Sequence, residues 1–217
     1  MNLAGRREVR SFTRRERPLG PAARAVHERL WEHLSLPEAQ WARLGEGSRD
    51  VVLDIGFGDG ESLLTMAAGD PGRDYVGVEV YRTGVIKVMR GIEERGLANV
   101  RLIEADAHEL LGKIGDGRIA AIQTFFPDPW PKTRHHKRRL VQERFLKEVV
   151  RVLRAGGLFH MATDWAPYAQ AALDAVKAFP VLALEAEERG ARPCTRFERR
   201  GLRLGHEVRD LRFRKAP

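Results

Sequence analysis

Apolar residues along this chain fall in short runs separated by amphipathic stretches, and that alternation predicts the architecture. Residues 51-VVLDIG read as a buried strand, followed by a helix from about Gly60 to Ala68. A second strand is expected at 75-YVGVEV with a helix across 82–95, and a third at 100-VRLIEAD with a short helix at 107–114. The run 119-IAAIQTFF predicts a fourth strand, followed by a helix over about 139–153 that Gly156-Gly157 would cap. The fifth strand is 158-LFHMATD, followed by a helix over 167–178, and residues 181–187 and 207–214 fit two last strands. Ahead of this series, Val26, Leu30, Trp31 and Leu34 keep helical spacing within 22–44. Residues 1–20 are basic without apolar periodicity and read as a flexible arm, leaving 21–217 as a single domain. Alternating strand and helix units with apolar strands predict an α/β fold: a mostly parallel seven-stranded sheet with helices on both faces.

Ligands of such sheets sit at the carboxyl ends of the strands. Five acidic residues fall there: Asp54, Glu79, Asp106, Asp128 and Asp164 follow strands one to five in turn. A lone acid at a strand end is usually a helix cap, whereas five converging on one edge read as a site. The first turn, 54-DIGFGDG-60, spaces its glycines as Gly56-x-Gly58-x-Gly60, unlike the GxGxxG of dinucleotide binders. Glu79, 23 residues after Gly56, is placed to accept ribose hydroxyls, which fits NAD and S-adenosylmethionine equally. Asp106 can accept an adenine amino group. Asp54 would repel a pyrophosphate but suits a ligand carrying an ammonium and a sulfonium, which favours S-adenosylmethionine.

Charge sharpens the picture. The net charge is +8 over 217 residues, but segments 1–30, 132–139 and 189–217 together carry +17 while the other 150 residues carry −9. An acidic core with basic appendages is the footprint of a polyanion-binding protein. The densest basic segment is 126-FPDPWPKTRHHKRR-139, directly after strand four. There Arg134, His135, His136, Lys137, Arg138 and Arg139 would hold phosphates at the start of the following helix. The single cysteine, Cys194, excludes an internal disulfide, and the N-terminus lacks a secretory apolar stretch, so a cytoplasmic location is expected. No apolar run is long enough for a membrane helix, and the histidines show no metal-ligand spacing, so neither membrane nor metal is expected.

The segments 53-LDIGFGDGESLL-64, 77-GVEVY-81, 104-EADA-107, 125-FFPDPWPKTRHHKRR-139, 160-HMATDW-165 and 195-TRFERRGLRLGH-206 resemble, in order, the bacterial tRNA (guanine-N7)-methyltransferases that modify guanine 46 in the variable loop. The glycine loop is generic to S-adenosylmethionine-dependent enzymes; the three later segments are the specific ones. The resemblance implies a Rossmann-like class I methyltransferase, with S-adenosylmethionine as cofactor and tRNA as partner, acting as a monomer or homodimer. It also implies that Asp54, Gly56, Gly58, Gly60, Glu79, Asp106 and Asp128 form the cofactor site. Lys132, Asp164, Thr195, Arg196, Phe197 and Glu198 would then contact the substrate. Guanine N7 carries a lone pair and no proton, so no general base is required, and Asp128 is the expected catalytic residue, orienting the base and offsetting its growing charge. Trp130 and Phe197 are candidates for stacking on the extracted base. Competing readings are an adenine or cytosine amino-methyltransferase, whose motif after strand four has adjacent prolines where this chain has Pro127-Asp128-Pro129, a non-catalytic RNA-binding subunit, and an NAD-dependent oxidoreductase.

Overall fold

The computed structural model describes residues 18–217, so all but the last three residues of the expected arm lie outside the described residues. The strands are β1 (Val51–Ile55), β2 (Asp74–Glu79), β3 (Val100–Glu104), β4 (Ile119–Phe125), β5 (Leu153–Thr163), β6 (Leu182–Ala186) and β7 (Arg209–Lys215). They form one sheet in the order β3-β2-β1-β4-β5-β7-β6. The first five strands in that order pair in parallel, whereas β7 is antiparallel to both β5 and β6. The helices are α1 (Pro21–Leu34), α2 (Glu61–Gly69), α3 (Arg82–Arg95), α4 (Ala107–Leu111), α5 (Glu143–Val152), α6 (Ala166–Val176) and α7 (Arg196–Arg203). The expected α/β class, the mostly parallel seven-stranded sheet and the helices on both faces are all present.

The period-2 geometry of β1 divides the core. Val51, Leu53 and Ile55 join the layer formed with α4, α5 and α6, and Val52 joins the layer formed with α2 and α3. Asp54 shares the Val52 face, so a carboxylate is carried into the interior by the strand's own alternation. In the first layer, the fully buried Phe159 lies between Phe145 (ring centroids 6.0 Å apart) and Phe213 (5.9 Å).

Two helix boundaries, one glycine pair and one added helix differ from the sequence expectation. The helix foreseen over 22–44 stops at Leu34, because Pro37 cannot continue it and the chain turns to the sheet edge, where Leu36 N donates to Leu102 O at 2.9 Å. Residues 38–43 then form a separate 3-10 turn. The helix foreseen over 139–153 starts only at Glu143, and Thr133–Arg138 form their own 3-10 turn before it. The Gly156-Gly157 pair does not cap a helix. Leu153 already pairs with Ile119, and the glycines sit inside β5 where the register against β4 shifts, with Gly156 at φ +68°. Helix α7 was not foreseen, although Thr195-x-x-Glu198 is a capping-box sequence, and Thr195 Oγ1 accepts from Glu198 N at 3.2 Å.

Truncating Phe159 to Ala removes the ring that joins α5 to β7. It is expected to cost about 3–5 kcal/mol of stability, read from the urea midpoint at unchanged m-value. A loss under about 1 kcal/mol would mean that this layer is not closely packed.

Candidate active site

The strand order reverses between β1 and β4, and a cavity of about 250 Å³ opens at the carboxyl edge there. Gly56 and Gly58 form its floor, Glu79 and Tyr81 one side, Ala105 and Ala107 another, and Phe126, Pro127 and Asp128 the far wall. Gly56, Gly58 and Gly60 have φ of +74°, +56° and +74°, so the loop between β1 and α2 depends on residues without a Cβ. Gly84, which the sequence reading did not single out, serves the same turn. A Cβ there would lie 2.3 Å from Gly58 O, so glycine lets α3 close against the loop.

Glu79 organises this floor. Its carboxylate accepts from Gly58 N at 2.9 Å, Val80 N at 2.7 Å and Tyr81 N at 3.1 Å. Burial pushes its pKa up, those three backbone donors pull it back, and the charge of Asp128 adds to the rise. Asp54 lies beneath the floor, 1% exposed, beside its strand partner Gln123. Burial pushes the Asp54 carboxyl up to about 7, which the Gln123 amide partly offsets and the Glu79 charge reinforces. That amide acts without a well-aligned bond: Asp54 Oδ2 and Gln123 Nε2 are both buried without a hydrogen-bond partner among the described residues. Asp106 Oδ1 caps α4 through His108 N at 2.7 Å, and its neighbours Ala105 and Ala107 line the cavity.

The turn after β4 is strained. Phe126 and Trp130 adopt φ of +55° and +43°, a region that costs about 1–3 kcal/mol for non-glycine residues and persists only where the surroundings impose it. Asp128, between them, faces the cavity; the residue is exposed, yet the walls desolvate its carboxyl enough to raise its pKa. The Phe126 ring lies 5.1 Å from that of Phe197, which is 57% exposed at the mouth.

The C-terminal motif is fastened to this edge from two directions. Glu61, the first residue of α2, accepts from Arg196 N and from Arg199 Nη2 at 3.1 Å. Arg192, fully buried, donates to Asp210 at 2.8 and 2.7 Å and to Glu198 at 2.6 and 3.2 Å. Burial alone would lower the Arg192 pKa, but Asp210 and Glu198 more than offset it. Burial opposes ionisation of Asp210 as well, yet His160 and Arg192 hold its carboxyl at about 2. Glu198 is thereby turned inward, 1% exposed, with Arg189 as a further partner. Asp164 is half-buried and bonded to His206 Nδ1 at 2.9 Å, and Thr195 is spent on capping α7.

The basic run divides in two. Lys132, Arg134 and Lys137 are exposed, and His135, His136 and Arg138 are half-buried. Arg138 lies over the Trp130 ring at 5.0 Å, and His135 meets its edge at 5.8 Å. Desolvation and then Arg134, Arg138, Lys132 and Lys137 lower the His135 pKa. Arg139 departs from the expectation of a phosphate contact. It is 6% exposed, donates from Nε to Pro129 O at 2.9 Å and stacks on Tyr168. The run also precedes α5 in a separate 3-10 turn, so the α5 dipole does not add to its charge as foreseen.

Because the folded pKa of Asp54, about 7, exceeds the unfolded value of about 3.9, its contribution to stability is full below pH 4 and is lost as pH rises through 7. The melting temperature of the ligand-free protein is expected to fall over that window, and Asp54→Asn to flatten the decline. Equal slopes in both proteins would place the titration elsewhere.

Residues 48–211 match the family described as "Putative methyltransferase". A tRNA (guanine-N(7)-)-methyltransferase of Alkalilimnicola ehrlichii is 48% identical over 223 residues, spanning 97% of this chain and 94% of that one. Its counterpart in Halorhodospira halophila is 45% identical over 97% of this chain and 96% of its own. Among solved structures, the 16S rRNA methyltransferase KamB aligns with a TM-score of 0.59 at 19% identity, covering 84% of this chain and 95% of that one. A 16S rRNA (adenine(1408)-N(1))-methyltransferase of Catenulisporales acidiphilia, solved with its cosubstrate SAM, aligns at 0.56 and 18% identity, covering 84% and 93%. At such identities the structures establish the fold alone, a Rossmann-like α/β sheet. The sequence relatives go further: this chain belongs to the tRNA (guanine-N7)-methyltransferases, enzymes that use S-adenosylmethionine.

Proposed function

We propose that the enzyme methylates N7 of guanine 46 in the variable loop of tRNA by in-line displacement without a general base. The observation that carries this reading is the placement of Asp128, which stands in the cavity wall at the start of the exposed basic loop. A carboxylate there meets both the cofactor cavity and any base presented from the loop side.

The residues present fit S-adenosylmethionine. The glycine turn lets backbone approach a ligand, Glu79 suits the ribose, and Ala105 and Ala107, on either side of the capping Asp106, line the side left for the adenine. The unpartnered Oδ2 of Asp54 is an acceptor that a cationic amino-acid moiety would satisfy, directly or through an ordered water. When bound, the cofactor supplies an electrophilic methyl group on a sulfonium. The chain's own residues do the rest. Guanine N7 has no proton to remove, so alignment and charge govern the rate. Asp128 orients the base and offsets the positive charge the ring gains. Phe197, exposed against Phe126, offers a stacking face. Arg196 is exposed beside it at the start of α7. Asp164, Thr195 and Glu198 act chiefly by shaping the substrate side, since each already holds a partner within the protein. Lys132, Arg134 and Lys137 take phosphates, and His135, His136 and Arg138 support them around Trp130.

Two outcomes test this. Asp128→Asn is expected to lower kcat by about 10²-fold, in the range of losing one transition-state contact, with tRNA affinity unchanged. Near-wild-type turnover would remove Asp128 from the chemistry. Affinity for tRNA is expected to fall as salt rises, and Arg134→Ala to reduce the slope of log K against log salt by about 0.9. An unchanged slope would mean that Arg134 touches no phosphate.

A further inference from the structure

Two buried arginines meet opposite ends of the strained turn. At its start, Arg192 lies over the rings of Phe125 and Phe126, 5.4 and 5.2 Å from their centroids. Its guanidinium cannot swing away, because Asp210 on β7 and Glu198 on α7 hold it from two sides. At the end, Arg139 donates to Pro129 O and rests 4.9 Å from the centre of the Tyr168 ring. Tyr168 is itself fixed, fully buried and accepting from Val141 N at 2.9 Å. Phe126 N also donates to Ala162 O at 2.8 Å, and of the two positive-φ residues Phe126 lies under Arg192 while Trp130 directly follows the Pro129 carbonyl that Arg139 holds.

Burying a guanidinium is unfavourable unless its donors are met. Among the described residues Arg139 has no carboxylate partner, and its Nη2 has no hydrogen-bond partner. A well-packed apolar side chain would serve stability better, so what Arg139 contributes is geometry. We propose that Arg139 and Arg192 form a two-ended clamp that holds the turn Phe126–Trp130 in its strained conformation and thereby positions Asp128. Neither arginine lines the cavity, so both are positioning residues, acting through Pro129 and the Phe125–Phe126 pair. The clamp also joins the two halves of the site: the guanidinium that secures Glu198 in the C-terminal motif is the one that seats the wall of the cofactor cavity. This proposal rests on the reading of Asp128 as the group facing guanine.

The test combines Arg139→Lys and Arg192→Lys, which keep the charge but lose the planar fork, with Asp128→Asn and the Asp128→Asn/Arg139→Lys double variant. Hydrogen exchange followed by mass spectrometry reads the turn independently of catalysis. Peptides covering residues 124–131 are expected to exchange about tenfold faster in each Lys variant, with those of β1 and β2 unchanged. Single-turnover methyl transfer with cofactor and tRNA saturating is expected to fall at least about tenfold, while both dissociation constants stay within about threefold. In the Asp128→Asn background, Arg139→Lys is expected to cost no more than about threefold further, because both changes act on one group. Unchanged exchange at 124–131 overturns the clamp. Faster exchange with an unchanged single-turnover rate overturns its positioning role, and a full extra loss in the double variant overturns its action through Asp128. If Asp128→Asn is itself harmless while the Lys variants are slow, the reading of Asp128 fails and the clamp stands. Should either Lys variant not fold, Phe125→Leu, which removes one face from beneath Arg192 without altering charge, is expected to raise exchange at 124–131; no change there overturns the Arg192 end.

Discussion

Between β1 and β4 the strand order reverses while the strands stay parallel, and the helices that follow these two strands lie on opposite faces. The carboxyl edge is therefore left open at one place, with α2 leaving to one side and the turn after β4 to the other. Every chemically interesting group reaches the site through that opening. Asp54 arrives on the last turn of a strand's alternation, Glu79 from the neighbouring strand end, and Asp128 from the loop across the gap. The sheet that creates the opening is held by ordinary apolar burial on both faces, so the site is presented by a rigid frame and built from segments that the frame alone does not fix.

What fixes those segments is electrostatic. Glu79 and Asp128 line the cavity and Asp54 lies buried beneath it, and desolvation raises the pKa of all three. Such an arrangement is poor for the empty protein and suited to a cationic ligand, whose charge relieves what the fold leaves uncompensated. Around the rim the logic inverts: Arg192 and Asp210 are buried as a matched pair, and Glu198 completes it. Buried charge pairs are weak evidence of net stability, whereas removing one partner is costly. Here the pair links β7 and α7 to the turn after β4.

Much of this was legible in the residues. The seven strands and their order of appearance follow from apolar periodicity, and the five acidic strand-end positions follow from that reading. What escaped has physical reasons. Thr133–Arg138 are polar, without apolar periodicity and without a glycine or proline to mark a break, so nothing local separates a 3-10 turn from the first turns of α5. Arg139 looks like its neighbours in the basic run, and only tertiary packing against Tyr168 buries it. Gly156-Gly157 resemble a helix cap because glycine at positive φ serves caps and bulges alike. Arg192 carried no signal at all, since its partners lie on β7 and α7 and on the turn after β4. Helix α7 has a local signal in Thr195-x-x-Glu198, but its arginine-rich composition gives almost no apolar periodicity to extend that signal into a helix.

The most direct measurement is a structure of the enzyme with S-adenosylhomocysteine and unmodified tRNA. The nucleoside is expected against Gly56, Gly58 and Glu79, and guanine 46 drawn out of the tRNA fold with Asp128 within hydrogen-bond distance of its ring. A cofactor product lying elsewhere, or a different base facing Asp128, would contradict this placement.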